Sequence, residues 1–319
     1  MKPKVLITRN LLPEAMDYLK DKVDLDIGAS GKNISRQELI NKIKDKQGLL
    51  CLLVDIIDKK VIDAAPRLKI IANCAVGYDN IDIQYAQKKK IMVTNTPGVL
   101  TETTADLTWA LIFATARKIP QAHRFTFEKR FTGWELDLFL GQEITGKTLG
   151  IIGMGRIGKA VASRACGFSM SVVYHDPNRL DKKDERQLKA EYLSLDELLS
   201  NADIVTLHTA LTPQTKHLIS TAQISLMKRD AILINVSRGP IVDEEALADA
   251  LERKQIWAAG LDVFENEPHI QEKLFSLDNV ILLPHIGSAT YATRLKMSLM
   301  AASNLIQGLK GDIPENLIS

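Results

Sequence analysis

The sequence predicts an α/β protein of two doubly wound domains, each a parallel sheet with helices on both faces. Two observations carry this. Short apolar, β-rich runs alternate with helical patterns nearly throughout the 319 residues, and that alternation buries a parallel sheet on both faces. The series also restarts: Asn95-Thr-Pro-Gly98 is turn chemistry, a long apolar helical pattern follows it, and a second set of βα units comes next. The last helical segment, Ser288 to Leu309, is too short for a domain of its own and returns to the first. The predicted division is therefore 1–98 with 288–319 for one domain and 99–287 for the other, inserted into it.

In order, Val5 to Thr8 reads as a strand, a helix starts at Pro13, and strands follow at Gly48 to Val54, Ile70 to Cys74 and Ile91 to Thr94. Thr101 is an N-cap candidate, with Thr104 three residues on and a helical pattern reaching Ile119. The second series has strands from Leu149, from Ser171, and at Ile204 to Leu207, Ala231 to Asn235, Ala258 to Leu261 and Val280 to Leu283. Two domains joined by two crossings form a cleft, and ligands of such sheets bind at the carboxyl ends of strands.

Bulk properties narrow the function. A chain that is 45% apolar and 25% charged, with net charge +2, is ordinary for a globular protein and gives no sign of nucleic-acid binding. The cluster Lys88-Lys89-Lys90 reads as a solvated helix end. No apolar run approaches the roughly 18 residues of a spanning helix, and Met1-Lys-Pro-Lys runs straight into the first strand, so a cytoplasmic protein is expected. Cys51, Cys74 and Cys166 lack metal-ligand spacing and read as buried reduced thiols; no histidine pair has zinc spacing either.

Residues 149–176 carry the most specific local pattern: an apolar strand, then Gly153-Met-Gly155-Arg156-Ile157-Gly158, a helical stretch, and Ser171-Val-Val-Tyr-His-Asp176. Gly153 permits a tight turn, Gly155 lets backbone approach a pyrophosphate, and Gly158 lets the helix pack close to the strand. The pyrophosphate would sit at the helix N-terminus. Asp176 stands where a carboxylate accepts hydrogen bonds from the adenosine ribose, and its charge favours NAD over NADP. Arg179, three residues on, works against that preference.

Three later segments place a polar residue beyond an apolar strand. In Ile232-Leu-Ile-Asn-Val-Ser-Arg238-Gly, the arginine can hold a carboxylate through two parallel hydrogen bonds. In Ala259-Gly-Leu-Asp262-Val-Phe-Glu265-Asn-Glu267-Pro three acids crowd a strand end, and in Leu282-Leu-Pro-His285-Ile-Gly a histidine follows another. An imidazole can give and take a proton near neutral pH. Each alone is equally compatible with a surface arginine or a structural histidine; together they describe a site.

These segments resemble the D-2-hydroxyacid dehydrogenase family across essentially the whole chain. Its motifs here include Asn73-Cys-Ala-Val-Gly77-Tyr-Asp-Asn-Ile-Asp82, Thr94-Asn-Thr-Pro-Gly98, the glycine loop, His208-Thr-Ala-Leu-Thr-Pro213, Asn235-Val-Ser-Arg-Gly239, Asp262-Val-Phe-Glu-Asn-Glu-Pro268 and Pro284-His-Ile-Gly-Ser288. Within the family the chain looks most like glyoxylate and hydroxypyruvate reductases. The resemblance implies a Rossmann-type cofactor domain inserted into a flavodoxin-like substrate domain. It implies His285 as general acid/base, Glu267 as its partner and Arg238 as anchor of the substrate's carboxylate and carbonyl. It further implies that NAD(H) meets Gly153 to Gly158, Asp176, Thr209, Val236, Ser237, Asp262 and Gly287, with Asp262 at the nicotinamide carboxamide. Leu53, Val76 and Gly77 would meet substrate, with amides offered from Ala75-Val76-Gly77. A homodimer is implied, with the long helix from Thr101, carrying Trp109 and Phe113, at its interface.

Two departures from the family pattern stand out. Ala210 replaces a frequent proline, a minor change in the ribose pocket, and the loop at Leu53-Val54, which meets substrate in the family, lacks the arginine usual in phosphoglycerate dehydrogenases. The resemblance therefore points to a short, unphosphorylated 2-oxoacid. Rival readings are another dehydrogenase of the family, acting on phosphoglycerate, D-lactate, phosphite or formate, and an NAD(H)-sensing, corepressor-like protein without catalysis. Formate dehydrogenases carry glutamine where Glu267 stands, and the corepressors carry extra basic or disordered segments.

Overall fold

In the computed structural model, which describes residues 1–29 and 33–318, the chain divides into two units. One comprises Met1–Leu100 with Ser288–Ser319, the other Thr101–Gly287. The first crossing falls after Leu100, and Thr101 is the first residue of the helix Thr101–Ala116 rather than its cap.

In the first unit, strands β1 (Lys4–Arg9), β2 (Asp24–Ala29), β3 (Gly48–Cys51), β4 (Ile70–Asn73) and β5 (Met92–Thr94) form a parallel sheet in the order β2-β1-β3-β4-β5. The central strands β3 and β4 are buried along their whole length, as continuous apolar runs require. β3 ends at Cys51, earlier than its apolar run suggests, because Asp55 turns the chain: its Oδ2 accepts the Leu52 amide at 2.8 Å. Leu6, Leu49 and Ile71 face one core layer with Ile43 and Val61. Val5, Ile7, Leu50 and Ile70 face the other, which the helix Tyr291–Lys310 supplies with Met297, Ala301 and Leu305. That helix lies close to β4: a Cβ on Gly308 would stand 2.4 Å from Ile70 Cδ1.

In the second unit, β6 (Thr148–Ile152), β7 (Ser171–His175), β8 (Ala190–Tyr192), β9 (Ile204–Leu207), β10 (Ile232–Asn235), β11 (Ala258–Leu261) and β12 (Val280–Leu282) are all parallel, in the order β12-β11-β10-β9-β6-β7-β8. The order reverses at β6, which pairs with both β7 and β9. Ligands of doubly wound sheets bind at that switch point.

In the helix Thr101–Ala116, Trp109 is 5% exposed, its Nε1–H donates to Val161 O at 3.1 Å, and Phe113 packs edge-on against Phe168. Two expectations need correction. This helix stops at Ala116, Lys118 takes a left-handed conformation (φ 51°), and a separate helix, Ile119–Phe127, buries none of its residues. Phe127, Trp134 and Leu136, in and after it, are large exposed apolar side chains. Second, Cys51 and Cys74 are buried, but Cys166 is exposed, on the turn that ends the helix Arg156–Ala165. Among the described residues, no helix is long and apolar enough to cross a membrane, and no group of three His, Cys, Asp or Glu could hold a metal.

Candidate active site

The glycine loop is shaped by close backbone approaches. Gly153 has φ +95°, and a Cβ on it would lie 2.5 Å from the Thr209 amide nitrogen. A Cβ on Gly158 would lie 2.2 Å from Gly153 O. Gly155 is different. It caps the helix Arg156–Ala165 without a side-chain hydrogen bond, and a Cβ there would meet nothing within 4 Å. The amides of the first turn, which include Arg156 (exposed) and Ile157 (partly buried), therefore open onto free space, where the helix dipole favours an anion. Asp176 follows β7 and joins this loop to the next: its Oδ2 accepts the Met154 amide and its Oδ1 the Asn178 amide, both at 2.8 Å. These features fit a dinucleotide. Beyond β9, Thr209 is partly exposed, and beside it burial lowers the pKa of His208 to about 3, so this imidazole is neutral.

Three loops converge beyond β10, β11 and β12. Arg238 leaves β10 with its carbonyl held by Asn235 Nδ2 at 2.9 Å. Asn235 Oδ1 also accepts the Ser237 amide at 3.1 Å, and Val236 between them is buried. Gly239 then presses on the next loop: a Cβ there would lie 1.8 Å from Phe264 C and O. The Phe264 amide donates to Glu267 Oε1 at 3.1 Å. Glu267 in turn meets His285, whose Nδ1 lies 2.9 Å from Oε2 and 3.1 Å from Oε1. Burial by itself would raise the Glu267 carboxyl, but the hydrogen bond and charge of His285, the Phe264 amide and Arg238 hold it below the ordinary range. The two residues are partly exposed, and His285 sits at φ +55°.

Carboxylates hold these loops in place. Asp262 is fully buried and accepts the Ile286 and Gly287 amides at 2.7 Å each, tying down the backbone that follows His285. Burial pushes its carboxyl up, against the pull of the Ile286 amide and the His285 charge. Glu244, first residue of the helix Glu244–Glu252, is buried as well; it accepts the Gln271 amide at 3.2 Å and the Glu265 amide, so it closes both ends of the turn that carries Glu267. Glu265 Oε1 in turn bonds His217 Nε2 at 2.7 Å. Arg238, Glu267 and His285 are thus brought together as the sequence predicts. The sequence does not mark Glu244 as a contributor, because the run Asp243-Glu244-Glu245 reads as an ordinary acidic first turn and only contacts at long sequence separation bury one of its members.

In the first unit, Leu53 lies partly buried in the turn after β3, and Val76 and Gly77 lie partly exposed after β4. Asparagines order both loops. Asn73 Nδ2 donates to Gly77 O at 2.9 Å, Asn95 Nδ2 to Val76 O at 2.8 Å, and Asn80 Nδ2 to Leu52 O at 3.1 Å.

A doubly wound sheet with a glycine turn and an acid at its switch point defines a nucleotide-binding α/β protein. Comparison with known proteins gives the family. The D-isomer specific 2-hydroxyacid dehydrogenase NAD binding domain matches residues 109–287. Over its full length the chain is 47% identical to the glyoxylate reductase of Thermococcus onnurineus, covering 96% of that protein. Among solved structures it resembles a protein of Thermus thermophilus (TM-score 0.91, 42% identity, covering 99% of this chain and 100% of that one). It also resembles an NADPH-dependent glyoxylate/hydroxypyruvate reductase of Sinorhizobium meliloti, solved with NADP and malonate (TM-score 0.88, 31% identity, covering 100% and 97%). The chain belongs to the D-isomer-specific 2-hydroxyacid dehydrogenases, oxidoreductases that use a nicotinamide dinucleotide.

Proposed function

We propose that the protein reduces a short, unphosphorylated 2-oxoacid, glyoxylate or hydroxypyruvate, to the 2-hydroxyacid with NADH, the (R)-enantiomer where the product is chiral. The observation that carries this reading is the contact between His285 Nδ1 and Glu267 at 2.9 Å. It fixes the ring so that Nε2 is the nitrogen left to serve the substrate oxygen. The bound nicotinamide supplies the hydride. Arg238 binds the carboxylate and polarises the carbonyl, and its own loop is held by Asn235. His285 delivers a proton to the oxygen as negative charge develops there, and Glu267 stabilises the imidazolium. Asp262 borders the cofactor groove and holds Ile286 and Gly287. The name of the Thermococcus relative supports glyoxylate as substrate, and Asp176 supports NADH.

The test is NADH oxidation against a panel of 2-oxoacids. Glyoxylate and hydroxypyruvate should be the best substrates, and NADH should exceed NADPH in kcat/KM by about tenfold or more, or ~1.4 kcal/mol. Turnover confined to phosphorylated 2-oxoacids, or NAD⁺ reduction by formate with no 2-oxoacid reduced, would overturn the substrate, and equal use of NADPH the reading of Asp176.

The same proposal includes a homodimer. Phe127, Trp134 and Leu136 are exposed in and after the helix Ile119–Phe127, the same segment lends Phe125 and Leu138 to a groove of about 1130 Å³ in the second unit that Trp257 and Phe275 also line, and exposed apolar surface of this kind marks association sites. A monomer in sedimentation at micromolar concentration would exclude it.

A further inference from the structure

Asp176 leaves a question about cofactor choice, because Arg179 stands in the same turn. A guanidinium recognises a ribose 2′-phosphate and could offset the acid. In the structure that guanidinium is already engaged. Its Nε–H donates to Glu185 Oε1 at 2.8 Å, and the group lies over the Tyr192 ring, 5.1 Å from the centroid. Glu185 is a firm anchor: its side chain is 9% exposed, against 52% for Arg179. It also accepts from Lys182 Nζ at 2.7 Å and from the Tyr174 hydroxyl at 3.0 Å. That buried hydroxyl accepts the Leu180 amide at 2.9 Å, so the turn after β7 and the helix Lys182–Leu188 form one network. The hydrogen bonds from Arg179 and Lys182 hold the Glu185 carboxyl to about 2, so it stays ionised at neutral pH.

We propose that Glu185 is a specificity-determining residue that acts through Arg179: by pairing with the guanidinium it keeps the turn's one arginine from a 2′-phosphate. This rests on the reading of Asp176 as the acid beside the ribose. Asp176 repels the phosphate, and Glu185 withholds the cation that would compensate. Glu185 holds Nε and the Tyr192 ring lies beneath the group, so turning the guanidinium fork onto a 2′-phosphate would give up both contacts.

The experiment measures the Kd of NADPH and NADH for the whole enzyme by tryptophan fluorescence, so it needs no turnover. Asp176→Ser should tighten NADPH. Adding Glu185→Gln, which keeps an acceptor for Tyr174, should tighten NADPH by about a further tenfold and leave NADH within about twofold. Arg179→Ala should cancel that gain in the Asp176→Ser/Glu185→Gln protein and do nothing while Glu185 is intact. The proposal is overturned if Glu185→Gln leaves NADPH affinity unchanged, or if Arg179→Ala weakens NADPH with Glu185 in place. An unchanged NADPH Kd in Asp176→Ser overturns the reading of Asp176; the Glu185 comparison, made in either background, still decides the role of Arg179.

Discussion

The loop after β6 and the loops after β10, β11 and β12 lie at the same edge of one sheet and take their shapes by different means. At the first, backbone approaches backbone: Gly153 against Thr209, and Gly158 against Gly153. At the second, buried polar side chains accept main-chain amides: Asn235 from Ser237, Asp262 from Ile286 and Gly287, Glu244 from Glu265 and Gln271. The first device leaves an open concavity of N–H groups, which suits an anionic ligand that arrives and leaves. The second fixes side chains relative to each other, which proton transfer requires, since a misplacement of about 1 Å can cost about 10²-fold in rate. It places carboxylates where burial opposes their charge, as the raised carboxyls of Asp262 and Glu244 show.

The largest expected effect tests whether the chemistry belongs to the second region. His285→Ala should lower kcat by about 10²–10⁴ with little change in NADH affinity; a loss of NADH binding equal to the loss of rate would erase the distinction.

Next comes a paired glycine substitution. Gly239→Ala puts a methyl 1.8 Å from the Phe264 backbone and should cost about 3 kcal/mol of stability, read as a lower thermal midpoint. Gly155→Ala meets open space, so the free protein should melt within a few degrees of wild type while NADH Kd rises about tenfold. Equal melting shifts in the two variants would show that the close approach of Gly239 to Phe264 matters no more to stability than the open cap at Gly155.

The smallest effect sharpens the His285–Glu267 link. The charge of His285 helps hold the Glu267 carboxyl below the ordinary range, so the carboxylate keeps its charge until the pH falls through that lowered value. Glu267→Gln keeps an acceptor for Nδ1 but removes the charge, and kcat should fall about tenfold with NADH Kd unchanged. A wild-type kcat in the variant, measured where chemistry limits the rate, breaks the link.

What the sequence made legible follows the same division. Glycine turns act over a few residues, so the glycine loop reads directly from the string, and the buried central strands β9 and β11 read from their apolar runs. β2 and β8 do not, because edge strands half in water can carry Asp24, Asp26 and Glu191. The end of the long helix at Ala116 has no glycine to mark it, and Pro120 reads as a stop at Ile119 when it instead opens the next helix after the left-handed turn at Lys118. Arg238, Glu267 and His285 are visible because each follows an apolar strand. Glu244 is not, since its partners lie 21 and 27 residues away.

The helix Tyr291–Lys310 has a consequence for how the protein is made. It supplies Met297, Ala301 and Leu305 to one core layer of the first unit, whose strands β1, β3 and β4 are among the first to leave the ribosome. The second unit is continuous in sequence and has all its strands once β12 has emerged. Domains generally fold as units during synthesis, so the inserted unit completes its core first, while Val5, Ile7, Leu50 and Ile70 wait with one apolar face uncovered for the helix Tyr291–Lys310. The half translated earliest is the half that matures last.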